Sequence, residues 1–318
     1  MKKRFYLLLA ALVILAFVFL FIGSVRMPPQ ELLGSPILWQ IRLPRIILSI
    51  LTGTMLATSG VILQGVLRNP LADPYILGVS AGAGVGAALI LSYKLYFTFL
   101  GMSSVPLFAF LFALVMVFIV YRLSNVAERA SAETLILAGV AVSAFASAIL
   151  ALIIIVSGQL QSIYFWMLGS FSMATYGDVL TLLPYALIGL IFSYFYSKEL
   201  NALIMGEETA YTMGVDVERV RIIMIVVATL MTAAAVSVSG LVGFVGLIIP
   251  HFVRIMIGPN YRFLVPFAAV SGALLMLLAD TVARTALSPM EVPIGIIMAL
   301  IGAPFFIYVL RRRRMDNK

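Results

Sequence analysis

The chain has 318 residues, of which 63% are hydrophobic, and only 34 carry a formal charge (21 Lys or Arg and 13 Asp or Glu). A soluble domain devotes about a quarter of its residues to charged side chains, so this balance excludes a water-soluble fold. The absence of cysteine excludes disulfide frameworks, thiolate metal sites and cysteine nucleophiles.

Uncharged apolar runs follow one another along the chain. Eight are evident, at 5–25, 46–67, 75–93, 104–121, 134–156, 179–197, 263–279 and 293–310. The stretch 222–257 would be about 54 Å long as one helix, beyond a hydrocarbon core of about 30 Å, so we expect it to turn back near 237–240. The sequence predicts an all-α polytopic membrane protein with about ten transmembrane helices, forming a single domain over 1–318.

The first run follows three basic residues, as a secretory signal would. Its apolar core of about 20 residues is longer than a signal core, and no Ala-x-Ala site precedes Arg26, so we expect a retained helix. If both termini are cytoplasmic, 16 Lys and Arg residues lie inside. The five outside are Arg26, Arg42, Arg45, Lys94 and Arg284. This positive-inside bias explains the net charge of +8 as membrane orientation, and no nucleic-acid partner is expected.

The sequence lacks the residues that several kinds of functional site require. None of the five lysines follows a glycine, so the P-loop pattern GxxxxGK[ST] is absent and we expect no ATP site in this chain. Within the predicted spans only His251 and Arg254 could be charged, whereas ion-coupled transporters usually keep an ionisable relay at membrane depth. One histidine without cysteine cannot build a histidine-rich metal site, so no metal, cofactor or catalytic centre is predicted.

A small-residue face lies on the predicted third span, where Gly78, Gly82 and Gly86 recur every four residues. The stretch 82–87 also fits the dinucleotide fingerprint GxGxx[GA], but it lies inside an apolar run and not between a strand and a helix. We interpret this face as a groove. Either another helix backbone packs into it, or it borders a wide pore.

Two polar regions indicate possible partners. Arg42, Arg45 and Arg284 lie outside, against the positive-inside trend; they either contact lipid phosphates or form a basic docking surface for an acidic protein. The stretch 198–221 is the longest hydrophilic segment, and it predicts two short cytoplasmic helices broken at Gly214. It is either simply solvated or the place where a motor protein acts.

The chain resembles the FecCD family of permease subunits, which belong to bacterial ABC importers for iron-siderophore complexes, haem and vitamin B12. The resemblance covers about 40–310 and rests on these stretches: RLPR at 42–45, GVLRNPLADPYILGVS at 65–80, WMLGS at 166–170, GEE at 206–208 with Ala210 and Gly214, GFVGLIIPH at 243–251 with Arg254, ADTVAR at 279–284, EVPIG at 291–295 and GAP at 302–304.

The resemblance implies a type II ABC importer architecture in a bacterial or archaeal cell membrane. A homodimer would enclose the path, with two ATPase subunits on the cytoplasmic face and a substrate-binding protein outside. The favoured cargo is an iron(III)-siderophore, with haem or cobalamin as alternatives. A secondary transporter that uses an ion gradient is the alternative from another class.

The resemblance also assigns site residues. Binding-protein docking would use Arg42, Arg45 and Arg284. Coupling to the ATPase would use Gly206, Glu207, Glu208, Ala210, Gly214 and Asp216. The translocation path and gates would use Gly78, Ser80, Gly82, Gly86, Ser131, Trp166, Gly169 and Ser170. Ala132 and Glu133 replace the small hydroxyl residues that some relatives carry near the inner gate.

Overall fold

A computed structural model describes residues 1–25, 27–99, 101–126, 129–130 and 132–316. The α-helices of this part of the chain are α1 (Lys2–Phe21), α2 (Pro29–Leu33), α3 (Leu43–Val66), α4 (Val79–Tyr93), α5 (Ser104–Ser124), α6 (Ala132–Ser157), α7 (Leu160–Met167), α8 (Tyr176–Phe195), α9 (Ser197–Ile204), α10 (Glu207–Thr212), α11 (Val217–Ser239), α12 (Val245–Ile257), α13 (Tyr261–Thr285) and α14 (Ile294–Asp316). The all-α prediction is confirmed.

Shorter elements join these helices. A π-helical segment, Ile37–Arg42, continues directly into α3, and a 3-10 helix, Pro74–Leu77, precedes α4. Two antiparallel pairs of two-residue strands form tight turns that the sequence did not predict. They are β1 (Thr98–Phe99) with β2 (Met102–Ser103), and β3 (Asn125–Val126) with β4 (Arg129–Ala130).

Ten apolar helices fall on the ten predicted spans. Seven of the described helices are long and apolar enough to cross a membrane. Three shorter ones, Val79–Tyr93, Val245–Ile257 and Ile294–Tyr308, occupy the other predicted positions. The predicted turn at 237–240 lies a few residues later, because α11 continues to Ser239 and α12 begins at Val245. The chain is a multi-pass membrane protein.

Local signals in the sequence explain several helix starts. Thr175 and Asp178 form a capping box at α8, in which the Asp178 backbone N–H donates to Thr175 Oγ1 at 3.2 Å and the Thr175 N–H donates to Asp178 Oδ2 at 2.9 Å. Asn260 caps α13 and Asp216 caps α11 in the same manner, each by accepting a backbone N–H two or three residues on.

The buried centre of the molecule is α3, which packs against α8, α11, α12 and α13. Small residues allow this close packing. A Cβ added at Gly53 would overlap the carbonyl oxygen of Gly272 on α13, and one at Gly60 would overlap that of Gly246 on α12. Helix association inside a membrane depends on such close backbone approach, because lipid tails are as apolar as the helix surfaces.

Two helices extend beyond their predicted spans and bring charged residues into the bundle. Helix α3 begins before 46 and contains Arg45, and α13 continues past 279 to include Asp280 and Arg284. Asp280, which lies just outside the predicted span 263–279, is therefore part of a helix and is fully buried. Its burial is tolerated because an arginine lies against it.

Candidate functional site

Arg45 is the centre of a buried ion network where α3 and α13 meet. Its Nη2 lies 2.9 Å from Asp280 Oδ1, and its Nε donates to the same oxygen at 3.0 Å. On the other side its Nη1 lies 2.8 and 2.9 Å from the two carboxylate oxygens of Glu291. Arg45 is 6% exposed and Asp280 0%, whereas the Glu291 side chain is 30% exposed. The guanidinium thus ties the start of α3 to α13 and to the segment before α14.

The two other arginines predicted for docking join the same cluster. Arg42 donates at 2.9 Å to the carbonyl oxygen of Leu20, in the last turn of α1, and at 2.7 Å to that of Val25, just beyond the helix. Arg284 donates to the carbonyl oxygen of Phe19 at 2.9 Å, and its Nε lies 3.8 Å from Asp280 Oδ2. We call Arg42, Arg45, Asp280, Arg284 and Glu291 the arginine cluster.

All three arginines of this cluster are buried, so the open basic surface expected from the sequence is absent from the isolated chain. Their role in docking stays a prediction. Two features leave it possible. Three guanidinium groups face two carboxylates, and Arg284 Nε is buried without a hydrogen-bond partner. An open cavity of about 560 Å³ adjoins them, with Gly23 of its lining lying against the Arg42 guanidinium.

The polar segment 198–221 forms two short helices, α9 and α10, as predicted, but the break between them is at 205–206 and not at Gly214. Gly206, with φ of +118°, separates α9 from α10, because only glycine adopts this conformation without strain. Gly214, with φ of +82°, separates α10 from α11. Ala210 is the buried residue of α10. Asp216 accepts the Arg219 backbone N–H and so begins α11.

An ion network anchors α10 to the bundle. Glu207 at the start of α10 pairs with Arg68, just after α3, at 3.1 Å and also with Arg221 in α11. Arg221, 5% exposed, pairs in addition with Glu218 at 2.9 Å. Glu208 is exposed and makes no ion pair among the described residues. An open groove of about 960 Å³ lies beside this network and is lined by residues of 207–221.

The turn between α3 and α4 is closed by a carboxyl group. Asp73 accepts the Tyr75 backbone N–H at 2.9 Å and so begins the 3-10 helix. Burial raises the pKa of Asp73 to about 6, although the hydrogen bond from Tyr75 opposes this shift. This carboxyl group therefore titrates much closer to neutral pH than an exposed aspartate does.

The small-residue face of α4 packs against α5. A Cβ at Gly82 would lie 2.6 Å from the Phe112 carbonyl oxygen, and one at Gly86 would overlap that of Phe108. Of the two interpretations left open by the sequence, helix packing is the one observed in the isolated chain, and the assignment of Gly82 and Gly86 to the translocation path stays a prediction. Gly78, with φ of +84°, begins α4, and Ser80 is half-buried in its first turn.

Trp166, Gly169 and Ser170 lie at a junction of three segments. Trp166 is in the last turn of the short helix α7. The Ser170 backbone N–H donates to the Ser239 carbonyl oxygen at 2.9 Å, and the Ile294 N–H donates to that of Gly169 at 3.0 Å. This junction joins α7 to the end of α11 and the start of α14. Ser131 lies outside the described residues.

Comparison with known proteins decides the family. The model of the FecCD transport family matches residues 8–312, nearly the whole chain. The chain belongs to the FecCD transport family. It is a permease of the class that serves ABC importers for iron-siderophore complexes, haem and cobalamin.

Named relatives of this FecCD permease differ in cargo. The cobalamin import system permease protein of Halobacterium salinarum is 43% identical over 276 residues, covering 86% of this chain and 73% of the relative. The hemin transport system permease protein of Yersinia pestis is 38% identical over 282 residues, covering 86% and 81%. The Fe(3+)-citrate import system permease protein of Bacillus subtilis is 37% identical over 277 residues, with the same shares.

A solved metal-chelate type ABC transporter in an inward-facing conformation shares the fold of this permease. The two superpose with a TM-score of 0.88 at 34% identity, covering 98% of this chain and 100% of that one.

The sequence reasoning missed the acidic partners in the permease. Asp280 lies just after the predicted span that ends at 279, and Glu291 just before the one that begins at 293, so the apolar runs gave no indication that they pair with Arg45. The spacing of Asp280 and Arg284, four residues apart, could have indicated that the helix continues past this point. Arg221 was likewise counted only as an inside charge, although Glu218 lies three residues before it.

Proposed function

We propose that this FecCD permease forms the membrane path of an ATP-driven importer for an iron(III)-siderophore. Haem and cobalamin are the alternative cargoes, since relatives named for them are as similar as the one named for ferric citrate. The observation that carries the proposal is the full-length match to the family, together with a polar segment anchored to the two central helices α3 and α11.

The permease works with partners in this proposal. Two copies enclose the path, two ATPase subunits lie on the cytoplasmic side, and a substrate-binding protein docks on the other side of the bacterial or archaeal cell membrane. Both termini are cytoplasmic, because that orientation places 16 of 21 basic residues inside. The chain is one permease domain over 1–318, and the lack of a P-loop pattern assigns ATP hydrolysis to the partner.

The polar segment 198–221 is the coupling site for the ATPase. The exposed surface of α10 offers Glu208, while Gly206 and Gly214 set the angles at which α10 leaves and rejoins the bundle. The groove beside α10 is wide enough to receive side chains of a partner. Gating uses the junction at Trp166, Gly169 and Ser170, together with Gly78, Ser80 and Ser131.

The arginine cluster receives acidic side chains of the binding protein. The excess of guanidinium groups over carboxylates and the adjoining cavity support this assignment, and Glu291 is the most accessible member that an incoming carboxylate could displace. Docking then requires a local rearrangement around Arg45, since its guanidinium is fully engaged in the isolated chain.

A charge-neutralising variant tests docking without reversing buried charges. Arg42→Gln combined with Arg284→Gln keeps amide donors for the carbonyl oxygens of Phe19, Leu20 and Val25. We expect it to weaken binding of the importer's substrate-binding protein by at least roughly tenfold, because guanidinium–carboxylate pairs are lost.

The control for this test is Lys94→Asn, which removes an exposed positive charge at a left-handed position that asparagine tolerates. Affinity is measured in detergent on protein that remains monodisperse. Equal affinity of the double variant and the wild type would refute docking at this cluster.

A further inference from the structure

A cleft between α1, α8 and α13 lies at the end of the bundle that also carries the polar segment. Its volume is about 440 Å³, and its lining is mainly aromatic and apolar. The lining residues are Met1, Lys2, Phe5, Tyr6, Tyr194, Arg262, Phe263, Pro266 and Phe267. It therefore combines an apolar wall with two cationic side chains.

The two cations of the cleft are exposed and free of acidic partners. Neither Lys2 nor Arg262 lies within ion-pair distance of a carboxylate in the part of the chain that the structure describes. The lining contains no acidic residue either. Unpaired cations above an apolar wall complement a ligand with an anionic head and a hydrocarbon tail.

Helix α1 buries little of its surface near its start. Leu12 is its one buried residue, and Phe5 packs edge-on against Phe267 at 5.3 Å between ring centroids. A ligand that fills the cleft beside this aromatic pair would contact α1 and α13 at once. It would therefore add to the attachment of α1.

We propose that this cleft binds one anionic phospholipid. The phosphate lies between Lys2 and Arg262, and an acyl chain runs along Phe5, Pro266 and Phe267 toward the bilayer core. The positive-inside orientation places these cations at the leaflet where anionic headgroups attract them. The proposal is independent of cargo and of the ATPase, since it uses none of the residues assigned to docking or coupling.

The test is lipid retention in nanodiscs that contain equal amounts of phosphatidylglycerol and phosphatidylcholine. After extraction into detergent, native mass spectrometry should show phosphatidylglycerol bound roughly tenfold more often than phosphatidylcholine. Lys2→Gln with Arg262→Gln should lower this ratio to about one. Arg4→Gln with Arg122→Gln removes the same charge from exposed residues that line neither the cleft nor the coupling segment, and it should leave the ratio unchanged.

A thermal-shift measurement distinguishes a lipid from a free anion. Phosphatidylglycerol should raise the unfolding midpoint of the wild type but not of the cleft variant, and inorganic phosphate at millimolar concentration should raise neither. An equal shift with inorganic phosphate would overturn the lipid assignment. A wild-type preference ratio near one, or a cleft variant that keeps the preference, would overturn the site itself.

Discussion

At the scale of single residues, four of the five buried charged side chains in the described part of the permease lie in the arginine cluster, and the fifth is Arg221. Arg45 and Asp280 are both nearly inaccessible, and Arg45 donates three hydrogen bonds, from Nε and Nη2, to the two carboxylate oxygens of Asp280. Burying an ion pair brings little net stability, but removing one partner leaves an uncompensated charge. The pair therefore acts mainly as a constraint on how α3 and α13 meet.

Replacing one member of this pair should be more harmful than replacing both. Arg45→Met removes all hydrogen bonds from a guanidinium to the buried Asp280 carboxylate and leaves only Arg284, whose Nε lies 3.8 Å away, so it should lower the free energy of unfolding by about 3 kcal/mol. Arg45→Met with Asp280→Leu should recover part of that loss, because no unpaired carboxylate remains buried, while Arg284 loses its ion pair but keeps its hydrogen bond to the Phe19 carbonyl oxygen. The unfolding midpoint in detergent measures both variants.

Glu291→Gln serves as the control, since the side chain is 30% exposed and the remaining amide can still accept a hydrogen bond from Arg45. Its effect should be about 1 kcal/mol. A double variant no more stable than Arg45→Met would contradict the assigned pairing.

At the scale of elements, glycine positions decide how closely helices approach. Gly53 and Gly272 let the backbones of α3 and α13 touch, and Gly60 does the same for α3 and α12. Gly53→Ala should lower the free energy of unfolding by about 3 kcal/mol, the upper end of the range for overpacking, because its Cβ would meet a backbone carbonyl oxygen.

Gly243→Ala is the matched control for this prediction, since no atom lies within 4 Å of the added Cβ. Thermal unfolding of both variants provides the comparison. An unchanged midpoint for Gly53→Ala would show that α3 and α13 do not pack as described.

Ion pairs link the coupling segment 198–221 to the helix bundle. Glu207 bridges Arg68 after α3 and Arg221 in α11, whereas its neighbour Glu208 points to solvent. We expect Glu207→Gln to retain the ATPase subunits on purification but to lower the amount of cargo moved per ATP hydrolysed several-fold. The weakened ion pairs would transmit movement of α10 less well.

Glu208→Gln removes the same charge from the same helix without breaking an ion pair, so it should affect ATPase association more than the transport ratio. ATPase association is measured by co-purification, and the amount of cargo moved per ATP hydrolysed is measured in liposomes with the assembled complex. The link is refuted if Glu207→Gln transports as much per ATP as the wild type.

Sequence patterns predicted most of the elements because long uncharged runs have one solution in a bilayer. Hydropathy could not show that α13 continues beyond 279, because the charged residues Asp280 and Arg284 end the apolar run. The helix continues because these two side chains pair with each other. The glycine face of α4 was visible in the sequence, but its partner α5 was not, because spacing alone does not distinguish a helix from a pore as the neighbour.

At the scale of the whole molecule, the charges of the permease lie at the two ends of an apolar bundle. One end carries the arginine cluster, and the other carries the ion network of α10. The central helix α3 reaches from one to the other, with Arg45 at its start and Arg68 just beyond its end. This arrangement suits the proposed subunit, which would bind an ATPase at one end and a substrate-binding protein at the other.

Transport by the reconstituted complex tests the central claim most directly. Liposomes would contain the permease with its ATPase, and a binding protein loaded in turn with a labelled ferric siderophore, haem or cobalamin would be supplied outside. The account predicts uptake of the siderophore that requires ATP, the ATPase and the binding protein together, and that persists when ionophores collapse all ion gradients. Uptake driven by an ion gradient in liposomes that contain the permease without the ATPase would contradict it.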